Sequence, residues 1–150
     1  MRRILLASAC VLFSGLHAAA HAQSTAGAQS LLITPGARAD GMGRAYTALA
    51  EDPTSVWWNT GAMAFTDVRG ATLMHTKLVP GLADDVYYEY LGYSQPLAGV
   101  GGLGFNVIYL TYGESEAVDD QEQSKGTFKS YEVAGTGSIG FQVTPKIGFG

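Results

Sequence analysis

The sequence predicts an all-β chain, the N-terminal fragment of a transmembrane antiparallel β-barrel with an irregular segment ahead of its first strands. Three observations carry that reading. From about residue 66 the hydrophobic period is two, along segments of ten or more residues; a secreted β-sandwich, the alternative this pattern leaves open, alternates likewise but usually with strands of about five or six residues. Glycine supplies 20 of 150 residues and charged residues only 15%, roughly twice and well under the shares of an ordinary soluble domain. The links between periodic segments alternate short and long, as periplasmic turns and external loops do.

Residues 1–22 read as an export leader. Met1-Arg2-Arg3 is a basic start, Ile4 to Leu16 an apolar run, and Ala20-His21-Ala22 offers small residues for cleavage before Gln23. The run is too short to cross a bilayer as a helix, which takes about 20 residues. Its removal takes away Cys10, His17 and His21, leaving no cysteine, one histidine (His75), and seven basic against thirteen acidic residues. Disulfides, cysteine nucleophiles and Cys/His zinc centres are thereby excluded from the mature segment. A Ser-His-Asp triad has only His75 to use, and no nucleophile elbow accompanies it. The acidic balance argues against nucleic acid. No catalytic residue, metal or cofactor is expected.

Residues 23–65 hold no sustained period. Pro35-Gly36 marks a turn. Gly41-Met42-Gly43 breaks the chain again, and Asp52 before Pro53 is placed to cap a short helix running toward Trp58. The adjacent Trp57-Trp58 reads first as a packing anchor and second as a stacking platform for a ligand.

Residues 66–150 hold the strands, expected at about 70–78, 86–95, 101–112 and 127–143, with a fifth beginning at Ile147. Leu103, Phe105, Val107 and Tyr109 share one face and Gly104 and Asn106 the other, where Ile108 and Leu110 interrupt the polar pattern. Along the fourth strand Tyr131, Val133, Ile139 and Phe141 oppose Glu132, Ala134, Thr136, Ser138 and Gln142. Residues 113–126, rich in Glu and Asp, read as a solvated external loop without calcium-loop spacing. Tyr87, Tyr88, Tyr90, Tyr112, Phe128 and Tyr131 are expected in an interfacial aromatic girdle. Gly99 to Gly104 and Gly135 to Gly140 both fit G-x-G-x-x-G, but neither opens a helix as a dinucleotide site requires. These glycines read as strand bends or as space left in a lumen.

The stretch Leu31-Leu32-Ile33-Thr34-Pro35-Gly36-Ala37-Arg38-Ala39-Asp40-Gly41-Met42-Gly43-Arg44-Ala45-Tyr46, with Glu51-Asp52 and Trp58-Asn59 behind it, resembles the FadL-like outer-membrane proteins, and among them the PorV/PorQ group. Asn59-Thr60-Gly61 stands where that family usually has Asn-Pro-Ala. The resemblance implies a barrel of about fourteen strands with residues 23–65 folded into the lumen as a hatch. It also implies hatch or gating roles for Arg38, Gly41, Gly43, Arg44, Asp52, Trp58 and Asn59, with the two arginines paired to Asp40, Asp52 or Glu132.

Two functions follow from it: a non-enzymatic, secretion-associated barrel that docks exported protein cargo, or a passive transporter of hydrophobic small molecules such as fatty acids and aromatic hydrocarbons. Either places the chain in outer-membrane lipid. Four strands cannot close a barrel, since single-chain barrels begin at eight, so Gly150 is read as a cut within a longer chain.

Overall fold

The computed structural model describes residues 27–121 and 123–150; the leader expected over residues 1–22 lies outside them. Five strands, β1 (Gly70–Val79), β2 (Ala83–Leu97), β3 (Gly101–Val118), β4 (Ser124–Thr144) and β5 (Ile147–Phe149), form one antiparallel meander in sequence order. Among the described residues no helix is long and apolar enough to cross a membrane; β1 to β4, of 10 to 21 residues, reach the roughly 9–11 residues a membrane-crossing strand needs. The open sheet is a sector of a β-barrel wall with its hatch on one face.

The two faces differ as a barrel wall demands. Outward lie Leu73, Leu91, Phe105, Val107, Val133, Ile139 and Phe141, all exposed large apolar side chains. One end of this band is closed by an aromatic row across four strands. His75 lies 5.4 Å from Tyr87, Tyr87 6.1 Å from Tyr109, and Tyr109 stacks 6.0 Å from Tyr131. At the other end Tyr93 meets Phe105 at 5.5 Å, with Phe141 further along β4. From Tyr131 to Phe141 the chain rises about 33 Å at the usual strand pitch. Tilted by about 40°, that spans roughly 25 Å, the height of an outer-membrane apolar band.

The girdle therefore differs in membership from the sequence expectation. Tyr87 and Tyr131 belong to it and Tyr109 joins them, whereas Tyr88 and Tyr90 point inward and are fully buried. Tyr112 bonds the inward-facing Glu132 instead. Adjacent tyrosines on a strand must take opposite faces, so Tyr87-Tyr88 could not both sit in the belt.

The acidic stretch 113–126 is also different: most of it is strand. β3 continues to Val118 and β4 starts at Ser124, leaving a tip of five residues. Cross-strand pairing extends the ladder, with Glu114 opposite Lys129, Glu116 opposite Thr127, and a Glu114–Lys129 ion pair at 3.5 Å. Opposite charges facing across a ladder stabilise it modestly, which a charge-rich ribbon in water requires. A bulge between Thr111 and Glu114 marks where this ribbon leaves the wall. There Gly113 adopts a positive φ of 77° and the Glu114 N–H donates to Asp85 (2.7 Å). At the other end of the sheet the links are short, as expected: residues 98–100 and 145–146.

Ile108 and Leu110, which broke the polar pattern of β3, are explained by what covers them. With Tyr88 and Tyr90 they form the buried core between wall and hatch, against Ile33, Trp57, Met74 and Ala134. Each such side chain contributes about 1.5–3 kcal/mol relative to leaving it exposed.

Candidate functional site

Between Gln29 and Phe65 the chain folds as short turns of helix: 3₁₀ turns at Gln29–Leu32, Thr47–Leu49 and Thr60–Phe65, and α-helical turns α1 (Ala37–Gly41) and α2 (Ser55–Trp58). None is long enough to be stable alone. They are held by a small core of their own and by the wall.

Arg38 and Asp52 meet through Tyr46. The Tyr46 hydroxyl donates to Asp52 (2.7 Å). Arg38 donates to Glu51 (2.9 Å) and to the Tyr46 hydroxyl (3.4 Å), its guanidinium 5.5 Å from the ring centre. Burial, and next the bond to Asp52, push the Tyr46 hydroxyl up to about 12. Asp52 also accepts from the Thr54 N–H (2.8 Å) and hydroxyl (2.6 Å), and its carbonyl from the Ser55 N–H (2.9 Å). It thus forms a turn just ahead of α2 rather than the cap the sequence suggested: the helix starts at Ser55 with Thr54 as its N-cap, and no side chain caps it.

Arg44 pairs with Asp40 (3.3 Å), which also receives the Thr34 hydroxyl (3.3 Å). Of the acids expected for the arginines, Asp40 takes Arg44, Asp52 reaches Arg38 only through Tyr46, and Glu51 replaces the rest. Glu132 has other partners: it accepts from the Ser30 N–H (2.8 Å) and the Tyr112 hydroxyl (2.6 Å), fastening the first turn of the hatch to β4.

Gly43 has a structural duty. It follows α1 at φ 62° and donates to the Asp40 carbonyl (3.0 Å), while Arg44 donates to Ala39 (2.8 Å). That pair of bonds is a Schellman stop, which favours glycine at this position. Arg44 itself holds φ 66°, an uncommon conformation for a residue with a side chain. Gly41 lies within α1 with open space around it and no positive φ.

Trp58 and Asn59 are staples within the hatch. The Trp58 ring donates to the Pro35 carbonyl (2.9 Å) and meets Tyr46 edge-on at 5.9 Å, over Ala39 and Ala50. Trp57, edge-on to Trp58 at 4.9 Å, turns instead into the core shared with the wall. The tandem tryptophans therefore join the two cores, in keeping with a packing anchor. The Asn59 amide donates to Thr47 (3.1 Å) and its oxygen accepts from the Ala62 N–H (3.3 Å), capping the last 3₁₀ turn. Asparagine supplies that cap without the Pro-Ala that usually follows it.

The wall receives the hatch on glycines. A Cβ added at Gly104 would stand 2.5 Å from Val56, at Gly140 2.5 Å from the Ala64 nitrogen, and at Gly148 2.5 Å from the Ala64 side chain; at Gly102 it would strike the Met63 carbonyl. Met63 is consequently fully buried. Gly135 and Gly137, on the outer face of β4, meet nothing within 4 Å. The glycine motifs thus combine lumen clearance and open outer positions. His75 lies outside on β1, bonded to Glu89 (3.1 Å). The Asp119 carboxylate is occupied by the backbone N–H groups of Gln121 and Gln123 at the hairpin tip, with Lys125 at 3.0 Å.

A wall sector with an apolar outer band, packed on glycines against an N-terminal hatch, agrees with a comparison across protein families. The profile described as "Type IX secretion system protein PorV" matches residues 17–148. The chain belongs to the PorV family. No curated protein and no solved structure matches it. As a PorV-family chain it is an outer-membrane protein of type IX secretion. Sequence reasoning missed Tyr46, Glu51 and Pro35 as hatch contacts and Gly102 and Gly140 as the seat. Tyr46 stood inside the stretch that carried the family resemblance, and the glycines stood at alternating, inward positions of β3 and β4.

Proposed function

We propose that this PorV-family protein is a non-enzymatic barrel that holds exported protein cargo at the outer membrane, embedded in lipid after loss of its leader. The observation that supports this reading is the filling of the lumen side of the sheet. The hatch is tied at Glu132, cored at Tyr88, Tyr90, Ile108 and Leu110, and seated on Gly102, Gly104 and Gly140. An inner face covered in this way leaves the outer surfaces for work, and the β3–β4 ribbon extends past Val86, the last β2 residue paired with β3. Arg38, Gly41, Gly43, Arg44, Asp52, Trp58 and Asn59 act in this reading as the hatch closure.

The test is a deletion strain complemented with the full-length gene, either unaltered or with residues 114–123 replaced by a short Gly/Ser turn. Deletion is expected to strand type IX cargo in the periplasm. The altered ribbon is expected to reduce cross-linking to cargo while the barrel still inserts. Normal cargo export by the deletion strain would overturn the reading.

One observation favours the second reading, passive entry of hydrophobic small molecules. The ion pairs Arg38–Glu51 and Arg44–Asp40 are about half exposed or more on both partners, and such pairs resist displacement weakly. Uptake of a labelled fatty acid by the same strains separates the two. A deletion that cuts uptake and leaves export intact would replace cargo docking by transport.

A further inference from the structure

The lead of the hatch crosses the wall instead of running along it. The Ser30 N–H donates to Glu132 on β4 (2.8 Å), the Tyr88 hydroxyl on β2 donates to the Ile33 carbonyl (3.3 Å), and the Gly36 N–H donates to the Met74 sulfur on β1 (3.2 Å). Tyr88, Leu110 and Glu132 lie directly opposite one another across the sheet, and Met74 stands two residues from Thr76, the partner of Tyr88. Residues 30–36 therefore form a strap, tied at every third residue across the inner face of the wall.

The third tie differs in kind. A thioether is a weak acceptor, yet the Gly36 N–H has no other acceptor among the described residues. Gly36 is also the joint between strap and helix. It precedes α1 at φ 107°, and its carbonyl accepts from the Asp40 N–H (3.0 Å). One residue earlier, Pro35 is fully buried and its carbonyl accepts from the Trp58 ring (2.9 Å). Met74 itself is half-buried and packs against the cluster of Tyr88, Tyr90, Ile108 and Leu110.

Oxidation converts a thioether into a sulfoxide, polar and larger by one oxygen. The methionines of the described residues are graded targets: Met42 is 39% exposed, Met74 half-buried and Met63 fully buried. At Met74 the added oxygen has no room toward Gly36. An N–H···O bond takes about 2.9 Å for itself, whereas the nitrogen and sulfur are 3.2 Å apart. Turned the other way, the oxygen enters the apolar cluster, where an unpaired polar atom is costly. The electron-poor sulfur then no longer holds the N–H.

We propose that Met74 is an oxidation site whose sulfoxide releases the Gly36 end of the strap from β1. The oxidant is a peroxide. The sulfur lone pair attacks one peroxide oxygen, the O–O bond breaks and an S–O bond forms. Sulfur gives up two electrons, and the second oxygen leaves as water after proton transfer. Ser30 and Ile33 stay tied, so the hatch loosens from its β1 side. This goes beyond cargo docking and does not rest on it.

The test uses the full-length protein in detergent micelles, carrying Met42→Leu so that the exposed methionine beside α1 is removed. After graded hydrogen peroxide, peptide mass spectrometry reads the fraction of Met74 bearing one added oxygen. Backbone hydrogen exchange is followed over residues 36–41. Exchange there is expected to rise several-fold in step with the Met74 sulfoxide, while Met63 stays unoxidised. Met74→Leu, which nearly keeps the volume, is expected to make that exchange indifferent to peroxide. The time course without Met74→Leu decides even where that variant fails to fold. Met74 as resistant to peroxide as Met63 would overturn the site. So would complete Met74 oxidation with exchange over residues 36–41 unchanged or slowed, or a rise that persists in Met74→Leu.

Discussion

Replacing Gly140 with alanine is expected to lift the Thr60–Phe65 segment from the barrel wall. The new Cβ would stand 2.5 Å from the Ala64 nitrogen, 2.8 Å from the Met63 carbonyl carbon and 2.9 Å from the Thr60 carbonyl oxygen. Non-bonded heavy atoms prefer about 3.5–4.0 Å. All three neighbours are backbone and cannot rotate aside, so the segment must shift by about 1 Å. Overpacking of this kind costs about 1–3 kcal/mol, and three backbone overlaps on one side place Gly140 near 3 kcal/mol. That is roughly a hundredfold change in the folded-to-unfolded ratio. Gly135 and Gly137, on the same strand but facing outward with open space, are the internal controls. Alanine there is expected to be neutral or to stabilise by about 0.4–1 kcal/mol, through loss of unfolded-chain freedom. The assay is the temperature at which the full-length protein loses its compact mobility in detergent gels. If Gly140→Ala melted with Gly135→Ala and Gly137→Ala, the hatch would not be seated on β4, and the close seam described above would be wrong.

Three further outcomes follow from the same geometry. The Tyr46 hydroxyl is held at about 12 against an ordinary 10, so its contribution is full below pH 10 and is lost as pH rises through 12. Fluorescence of Trp57 and Trp58 should therefore change in that window, and Tyr46→Phe should abolish the change while costing about 1.5–3 kcal/mol for a bond to a charged acceptor. Glu132→Ala removes the acceptor of both Ser30 and Tyr112, and limited proteolysis should then cut the lead between residues 27 and 35 several times faster than in wild type. The Asp119 carboxyl is held below its ordinary 3.8, first by the Gln123 N–H and next by Lys125. Its turn is therefore stable at neutral pH and loosens as pH falls through that lowered value, an exchange-rate change at residues 119–123 that Asp119→Ala should lack.

Much of the wall was legible because strand period is a local property. Tyr131, Val133, Ile139 and Phe141 could be placed on one face from their spacing alone, and the open sheet bears that out. Two things resisted. The reach of β3 and β4 past residue 112 depends on pairing between segments some fifteen residues apart, Glu114 with Lys129, and a charge-rich stretch read singly looks like a loop. The hatch resisted more fully. Its turns are three to six residues long, too short for a period, and their partners lie up to 102 positions away, as Ser30 and Glu132 do. Only the family resemblance made residues 23–65 readable as a lumen element, and no local signal paired Arg38 with Glu51.

The irregularities of the inner face are the imprint of the hatch. A water-filled lumen would favour polar residues at every inward position, yet β3 reads Gly102, Gly104, Asn106, Ile108, Leu110 in that order. Each departure has a partner: the glycines lie under Met63 and Val56, and the aliphatics under Trp57 and Ile33. Asn106 alone keeps the polar character of a lumen on β3, and it lies diagonal to the buried Tyr90 on β2. The wall is therefore shaped for a hatch that rests on it through backbone against glycine at one end and through apolar side chains at the other. A hatch that was only a folding remnant would need neither the glycine seat nor the inward aliphatic patch. Both features cost stability unless the hatch is in place, so wall and hatch are built as one unit whose closed state is the stable one.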